Sequence, residues 1–358
     1  MFNRECGVFK KNYKSDMALF PLPLTFWTVA VIAVIFILIV PLAVNDYYLS
    51  LLNLVLIATV GALGLNLLMG YCGQISIGHA AFAMVGAYAA AHGVTTFHMP
   101  FWLGIIFAGT VAALWGTMFG IPSLRVKGLY LAIATWAAQL ITEWIMIHVT
   151  PISGGAESAK GVPEIHFGSW IVESQRDYYY LNLIIMIIAL VVAMNIVRSS
   201  VGRAFIAIRD RDIAAEALGI NLFRYKLLAF AIASFYAGVA GAMYAYYYRI
   251  ATYEAFDLVL SIDFLAMIII GGLGSIVGSI FGAAFITLMN PALRGIMDRL
   301  AVFWTSGGEL SQVMTIFTQV RIILFGALII VFLILEPEGL NKLWRNVKAY
   351  FRVWPFSY

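Results

Sequence analysis

Charge is scarce in this chain. Asp, Glu, Lys and Arg make up 11% of its 358 residues, against roughly 25% in an average soluble domain. Hydrophobic residues make up 63%, and the mean hydropathy is +0.93. So little polar surface cannot coat a water-soluble fold, and the composition is that of an all-α polytopic membrane protein. Cysteine is scarcer still. Cys6 and Cys72 lie too far apart in the expected topology for a bridge, and without a CxxC pair or a histidine cluster, redox and metal chemistry have no residues to use. Also missing is Gly-x-x-x-x-Gly-Lys-Ser/Thr, so the chain cannot be the ATPase of a P-loop system. No HExxH, Ser-His-Asp order or paired carboxylates support an intramembrane hydrolase.

What the sequence has is apolar runs. Crossing about 30 Å of hydrocarbon takes roughly 20 residues, and residues 25–44, 51–70, 101–121, 128–149, 179–197 and 227–248 qualify. Residues 75–97 follow a polar break at Tyr71-Cys72-Gly73-Gln74. The run 257–290 is long enough for two spans and is interrupted at Gly271-Gly272-Leu273-Gly274, and 320–335 is short. The expected count is ten. The first run exceeds the 7–15 apolar residues of a signal-peptide core and reads as an uncleaved anchor. Basic residues near span ends stay on the cytoplasmic side, and ten spans with both termini cytoplasmic put sixteen of the 22 Lys and Arg there. The chain then divides into a cytoplasmic tail 1–24, a transmembrane domain 25–335 and a second tail 336–358. An outer loop spans 150–177 and a cytoplasmic loop 198–226. The net charge of +4 is a topology signal, with no case for nucleic acid.

The cytoplasmic loop contains RDRDIAAEALGINLFRYK, Arg209 to Lys226. Asp212 can cap a short helix over Ile213–Leu218, and Gly219 suits the left-handed residue that follows the last turn. Ala214, Ala215 and Ala217 offer a small-residue surface, flanked by Arg209, Asp210, Arg211 and Glu216 for polar registration. A helix this short is not stable alone in water, which leaves two readings: a connector resting on its own spans, or a docking element for a soluble partner.

Polar residues inside the spans also carry two readings each. Thr135, Gln139, Thr142 and Glu143 recur at i, i+4, i+7 and i+8, on one helical face, as a helix-to-helix seam or the lining of a solute path. Asn66, on the face of Thr59, has the same alternatives. Gly70 to His79 reads as a broken or re-entrant backbone, tolerated at membrane depth only within protein or beside water, or as a tight turn. It brings Gln74, Ser76 and His79 forward as gate candidates. Asp263 sits about six residues into its span, roughly 9 Å deep at 1.5 Å per residue, as a helix anchor or as a ligand for a solute ammonium. Gly274, Gly278 and Gly282, like Ser234, Gly238 and Ala242, make small-residue grooves where another helix can come close. The outer loop, rich in Gly, Pro and Ser, promises little regular structure beyond a short amphipathic piece.

Four ordered blocks sharpen this reading: LGLNLLMGYCGQISIGHAAFAMVGAY (63–88), SLRVKGLYLAIATWA (123–137), AAEALG with INLFRYKLLAFAIASFYAGVAGAMYAYY (214–247), and GGLGSIVGSIFGAAF (271–285). Over roughly residues 50–340 the chain resembles the LIV-type branched-chain amino-acid permeases of ATP-binding-cassette importers, the larger of the two permease types. The resemblance implies a type II importer-like permease of the bacterial cytoplasmic (inner) membrane, surrounded by lipid and paired with a second homologous permease. It also implies two cytoplasmic ATPase subunits that hold ATP and magnesium, this chain needing no cofactor of its own. A periplasmic or extracellular binding protein would dock at the outer side and deliver a branched-chain or other small hydrophobic amino acid. Relatives that handle urea-like amides or aromatic acids leave the exact solute open. Arg209, Arg211 and Asp212 to Gly219 would then form the ATPase coupling contact. Composition alone also admits an ion-coupled secondary transporter working through Glu143 or Asp263.

Overall fold

The computed structural model describes residues 34–123, 128–153, 159–167, 170–304 and 339–353, with single positions at 31, 320, 323, 326, 327, 330, 331 and 334. Eleven helices organise it: α1 Asp46–Asn66, α2 His79–Thr95, α3 Phe101–Ser123, α4 Leu129–His148, α5 Gln175–Arg198, α6 Ser200–Asp210, α7 Asp212–Ala217, α8 Leu222–Tyr248, α9 Leu258–Gly271, α10 Ile276–Trp304 and α11 Leu340–Val353. Shorter helical turns, including Ile35–Ile39, Val40–Ala43 and Thr150–Ser153, lie between them. Among the described residues six helices are long and apolar enough to cross a membrane: α1 with the turn that extends it, α3, α4, α5, α8 and the first part of α10. The shorter α2 and α9, of 17 and 14 residues, are packed between them. The expected run 257–290 is split at the glycines into α9 and α10. Positions 25–30, 32 and 33 of the expected span 25–44, nine of the sixteen positions of 320–335, the tail 1–24, and residues 336–338 and 354–358 of the second tail lie outside the described residues, while the rest of that second tail is mainly α11.

Packing centres on α8, which lies against α1, α2 and α3. Lipid tails are as apolar as leucine, so helices in a membrane associate through close backbone approach rather than hydrophobic sorting. Gly238 supplies that approach. A β-carbon there would overlap Ala112 Cβ and stand 2.8 Å from the Ala108 carbonyl oxygen, and from the other helix a β-carbon on Gly86 would overlap the Gly238 backbone.

Two sequence expectations are corrected. The loop 198–226 holds two helices rather than one. Ser199 caps α6 by accepting from Val201 N at 3.2 Å, and α6 buries Phe205 and Ile208, so an amphipathic stretch that reads as a polar loop is docked on the bundle. The outer loop is also more ordered than its composition suggests. Strand β1 (Lys160–Gly161) pairs antiparallel with β4 (Ile250–Ala251), and β2 (Ile165–Phe167) with β3 (Trp170–Val172). Arg249, left-handed at φ 57°, locks this arrangement. It donates to Glu164 Oε1 at 2.6 Å, to the Tyr178 hydroxyl at 3.4 Å and to the Val172 carbonyl at 3.5 Å. Nearby, Lys160 Nζ lies 2.7 Å from His92 Nδ1, and burial lowers the Lys160 pKa from the ordinary lysine value.

Gly238→Leu forces a side chain into the α8 crossing, where overpacking costs about 1–3 kcal/mol or more. The variant is expected to lose monodispersity and thermal stability in detergent, measured by size-exclusion chromatography of a fluorescent fusion. Gly295→Leu, at a glycine with nothing within 4 Å of its would-be β-carbon, should behave as the unaltered chain.

Candidate translocation and coupling site

The end of the bundle carrying α6 and α7 is termed the inner end. There α1 runs into a π-turn, Leu67–Tyr71, and then into Cys72–Gly78, which has no helical structure although Cys72, Gln74, Ser76 and Gly78 are buried. This is broken backbone enclosed in protein. Facing it is the second break, between α9 and α10, with Gly272 and Gly274 at φ 114° and 74°. Asn66 ties the two together. Its Nδ2 donates to the Ser275 carbonyl and the Ser279 hydroxyl, both at 2.7 Å, and its Oδ1 accepts from Gly274 N at 2.9 Å. Gly278 and Gly282 face the backbone of α9, whereas Gly274 sits in the turn against Gly70.

A second polar set joins α2, α4 and α9. Ala80 N donates to Ser261 Oγ at 2.9 Å, Ser261 Oγ to Gln139 Oε1 at 3.3 Å, and Gln139 Nε2 to the Phe256 carbonyl at 2.8 Å. Thr135 Oγ1 accepts from Ile77 N at 3.0 Å, and Thr142 accepts from the Trp115 indole at 3.0 Å. The three buried members of the α4 stripe are therefore engaged with neighbouring elements, Thr135 with the non-helical segment and Gln139 and Thr142 with other helical elements, while Glu143 is half-buried at its edge. Ser261, fully buried at the centre of this chain of bonds, was not legible as a site residue. His79 Nε2 meets the Gly61 carbonyl at 3.0 Å. Its Nδ1, Gln74 Oε1 and Ser76 Oγ have no hydrogen-bond partner, an unusual concentration of buried unmet polar atoms in one short segment.

Asp263 stands apart from both sets. It is half-buried and borders a largely apolar cavity of about 210 Å³ whose walls include Ile57, Tyr244, Phe264, Met267 and Ile286. The buried Thr287 hydroxyl on the same cavity has no partner.

At the inner end the short helix of the loop is present, with a corrected start. Arg211 is extended (φ −157°), so the helix begins at Asp212; the Asp212 carboxylate accepts from Ile213 N at 2.9 Å instead of capping from outside. Its negative charge still lies in the first turn, where the helix dipole favours it. The far end closes as a Schellman turn: Ile220 N donates to the Ala215 carbonyl at 3.0 Å, Gly219 N to Glu216 at 2.9 Å, and Gly219 is left-handed at φ 85°. Ala215 is buried against the bundle, whereas Ala214, Glu216 and Ala217 are exposed. Ile213 and Leu218, which the alanine pattern does not bring forward, are 78% and 82% exposed. Arg209 is also partly exposed but reaches back to the bundle. It lies in the last turn of α6 and donates from Nη1 to the Gly70 carbonyl at 2.9 Å, beside a cavity of about 250 Å³ bordered by Cys72, Gln74, Arg211 and Lys226.

The bundle thus combines a broken helix pair, buried polar links and a capped helix on one loop. The family model for the permease component of branched-chain amino acid transport systems matches residues 47–333. The chain belongs to this family. It is 27% identical over 328 residues to the high-affinity branched-chain amino acid transport system permease protein LivM of Salmonella typhimurium, covering 85% of this chain and 72% of that protein. LivM of Escherichia coli K12 is 26% identical over the same shares. The ribose import permease protein RbsC of Haemophilus influenzae is more distant, at 24% identity over 70% of this chain and 77% of that one. No solved structure matches. The permease is thus a multi-pass inner-membrane transport subunit of an ATP-binding-cassette importer.

Asn66→Leu removes three hydrogen bonds and strands buried backbone groups at about 1–3 kcal/mol each. The expected result is a lower thermal midpoint and faster proteolysis between Leu67 and Ser76, mapped by mass spectrometry of the fragments.

Proposed function

We propose that the permease forms half of the membrane pathway for branched-chain or other small hydrophobic amino acids. A second homologous permease supplies the other half, two cytoplasmic ATPase subunits drive the cycle with ATP and magnesium, and a solute-binding protein docks outside. Ten spans with both termini cytoplasmic complete the subunit. The carrying observation is the short helix α7, which is anchored through Ala215 and finished by a Schellman turn while presenting Ile213 and Leu218 to the outside. Large apolar side chains held in the open on an otherwise charged loop mark a protein contact. The names of the curated relatives, which specify branched-chain amino acid transport, support the solute class.

For the solute route, the Asp263 cavity has the right chemistry. A carboxylate held among apolar walls at membrane depth calls for a cationic partner, and an amino acid supplies an ammonium group beside an aliphatic side chain. The ion-coupled reading would use the same carboxylate, and reconstitution separates the two. Uptake of leucine, isoleucine or valine should require the ATPase subunits, the binding protein and ATP; uptake by the permease alone under a proton or sodium gradient would overturn the importer reading.

Two variants extend the test. Ile213→Asp with Leu218→Asp should leave the permease inserted and monodisperse while copurification of the ATPase subunits is lost. Asp263→Asn keeps the size of the side chain and removes its charge, so uptake should be abolished with assembly and ATP turnover intact. Uptake near the unaltered level would assign Asp263 to anchoring its helix.

A further inference from the structure

The coupling reading requires that displacement of α7 reach the helices, and one side chain is built to carry it. Helices α6 and α7 are separated by a single extended residue, Arg211, so α7 cannot be drawn away without pulling on the last turn of α6. That turn ends in Arg209 and Asp210. Arg209 Nη1 donates to the Gly70 carbonyl at 2.9 Å, an oxygen inside the π-turn. The neighbouring N–H groups of Gly73 and Gln74 go instead to Met69 and Leu68, both at 3.1 Å. The break in α1 thus exposes a backbone acceptor, and a charged donor on the loop occupies it. Bonds of this kind are roughly twice as strong as those between neutral groups.

The surroundings are cleared for this contact. A β-carbon on Gly73 would lie 3.0 Å from Arg209 Cγ, and one on Gly274 would lie 3.2 Å from Arg209 Nη1. The guanidinium therefore rests where the inner end of α1 meets the α9–α10 break, directly over the Asn66 tie. Asp210 orients it, accepting from Nε at 3.1 Å and lying 3.0 Å from Nη2. This pair is partly exposed and adds little stability. Its effect is to aim the remaining donor at Gly70.

We propose that Arg209, through its bond to the Gly70 carbonyl, is the positioning residue that transmits movement of the docking helix to the paired breaks in α1 and α9–α10. The proposal rests on the importer reading above. A purely structural arginine would alter the amount of folded complex and leave the solute moved per ATP unchanged. A transmitting arginine alters that ratio.

The test uses the reconstituted complex of permeases, ATPase subunits and binding protein. In Arg209→Ala, ATPase subunits should copurify and hydrolyse ATP, while uptake per ATP falls by at least about fivefold, the lower bound of a typical coupling between sites. Cys72, 2% exposed beside the π-turn, reports the break directly in a Cys6→Ser background. Its rate of maleimide labelling should change between nucleotide-free and ATP–vanadate states in the parent complex and become independent of nucleotide in Arg209→Ala. Should Arg209→Ala fail to assemble, Arg209→Lys carries the same two readouts, since it keeps a cation but cannot span Asp210 and Gly70 together. An unchanged uptake per ATP, a nucleotide response retained in the variant, or a parent complex whose Cys72 rate ignores nucleotide would each overturn the proposal. Failure of ATP-driven uptake in the parent complex itself would instead overturn the importer reading.

Discussion

The described bundle depends on one buried amide. Asn66, 1% exposed, has two donors and an acceptor to satisfy within the protein, and it satisfies them on the turn between α9 and α10. Both helices it joins are interrupted, so each brings backbone groups that its own coil does not use. One interruption therefore completes the other. Glycine at positions 70 and 274 lets the two backbones meet closely enough for this exchange, and the polar chain from Ala80 through Ser261 to Gln139 does similar work between α2, α9 and α4.

Much of the architecture is legible in the sequence, because the thickness of hydrocarbon imposes a length on every span. The boundaries of α3, α4, α5 and α8 fall within a few residues of the apolar runs, and the glycine interruption near 271–274 is where two helices part. The left-handed Gly219 is equally plain, since few other residues tolerate that geometry. What escaped has a common physical cause: distance along the chain. The partners of Asn66 lie more than 200 residues away, Ser261 is an ordinary serine until Gln139 comes to it from 122 positions off, and the strand beside Lys160 is supplied by the connection after α8. Helix α6 was missed for another reason. Its 11 residues carry three charges and are clearly amphipathic, too polar for a span but readable as a surface helix once its periodicity is followed apart from the charged loop.

The placement of unmet polar atoms is also informative. A stable helical protein normally pairs its buried donors and acceptors, and the Thr135, Gln139 and Asn66 side chains do so. Gln74, Ser76 and His79, only a few positions apart, each keep one atom unpaired. Gln74 and Ser76 lie in the non-helical segment between α1 and α2, where rearrangement disturbs no regular hydrogen-bond ladder, and His79 opens α2 directly after it. Polar groups that are incompletely satisfied in one arrangement are the natural source of a second arrangement of similar energy, the condition for a population shift.

The two ends of the bundle are fastened differently. On the outer side a strand pair and the three bonds of Arg249 join the ends of α5 and α8 to the outer loop. At the inner end α6 is docked on the bundle by its buried Phe205 and Ile208 and bonded to the π-turn of α1 through Arg209, beside the three bonds of Asn66. Each end is thus closed by one side chain that meets three groups at once, Arg249 among the loops and Asn66 among the broken helices, so a single residue sets the register of several elements.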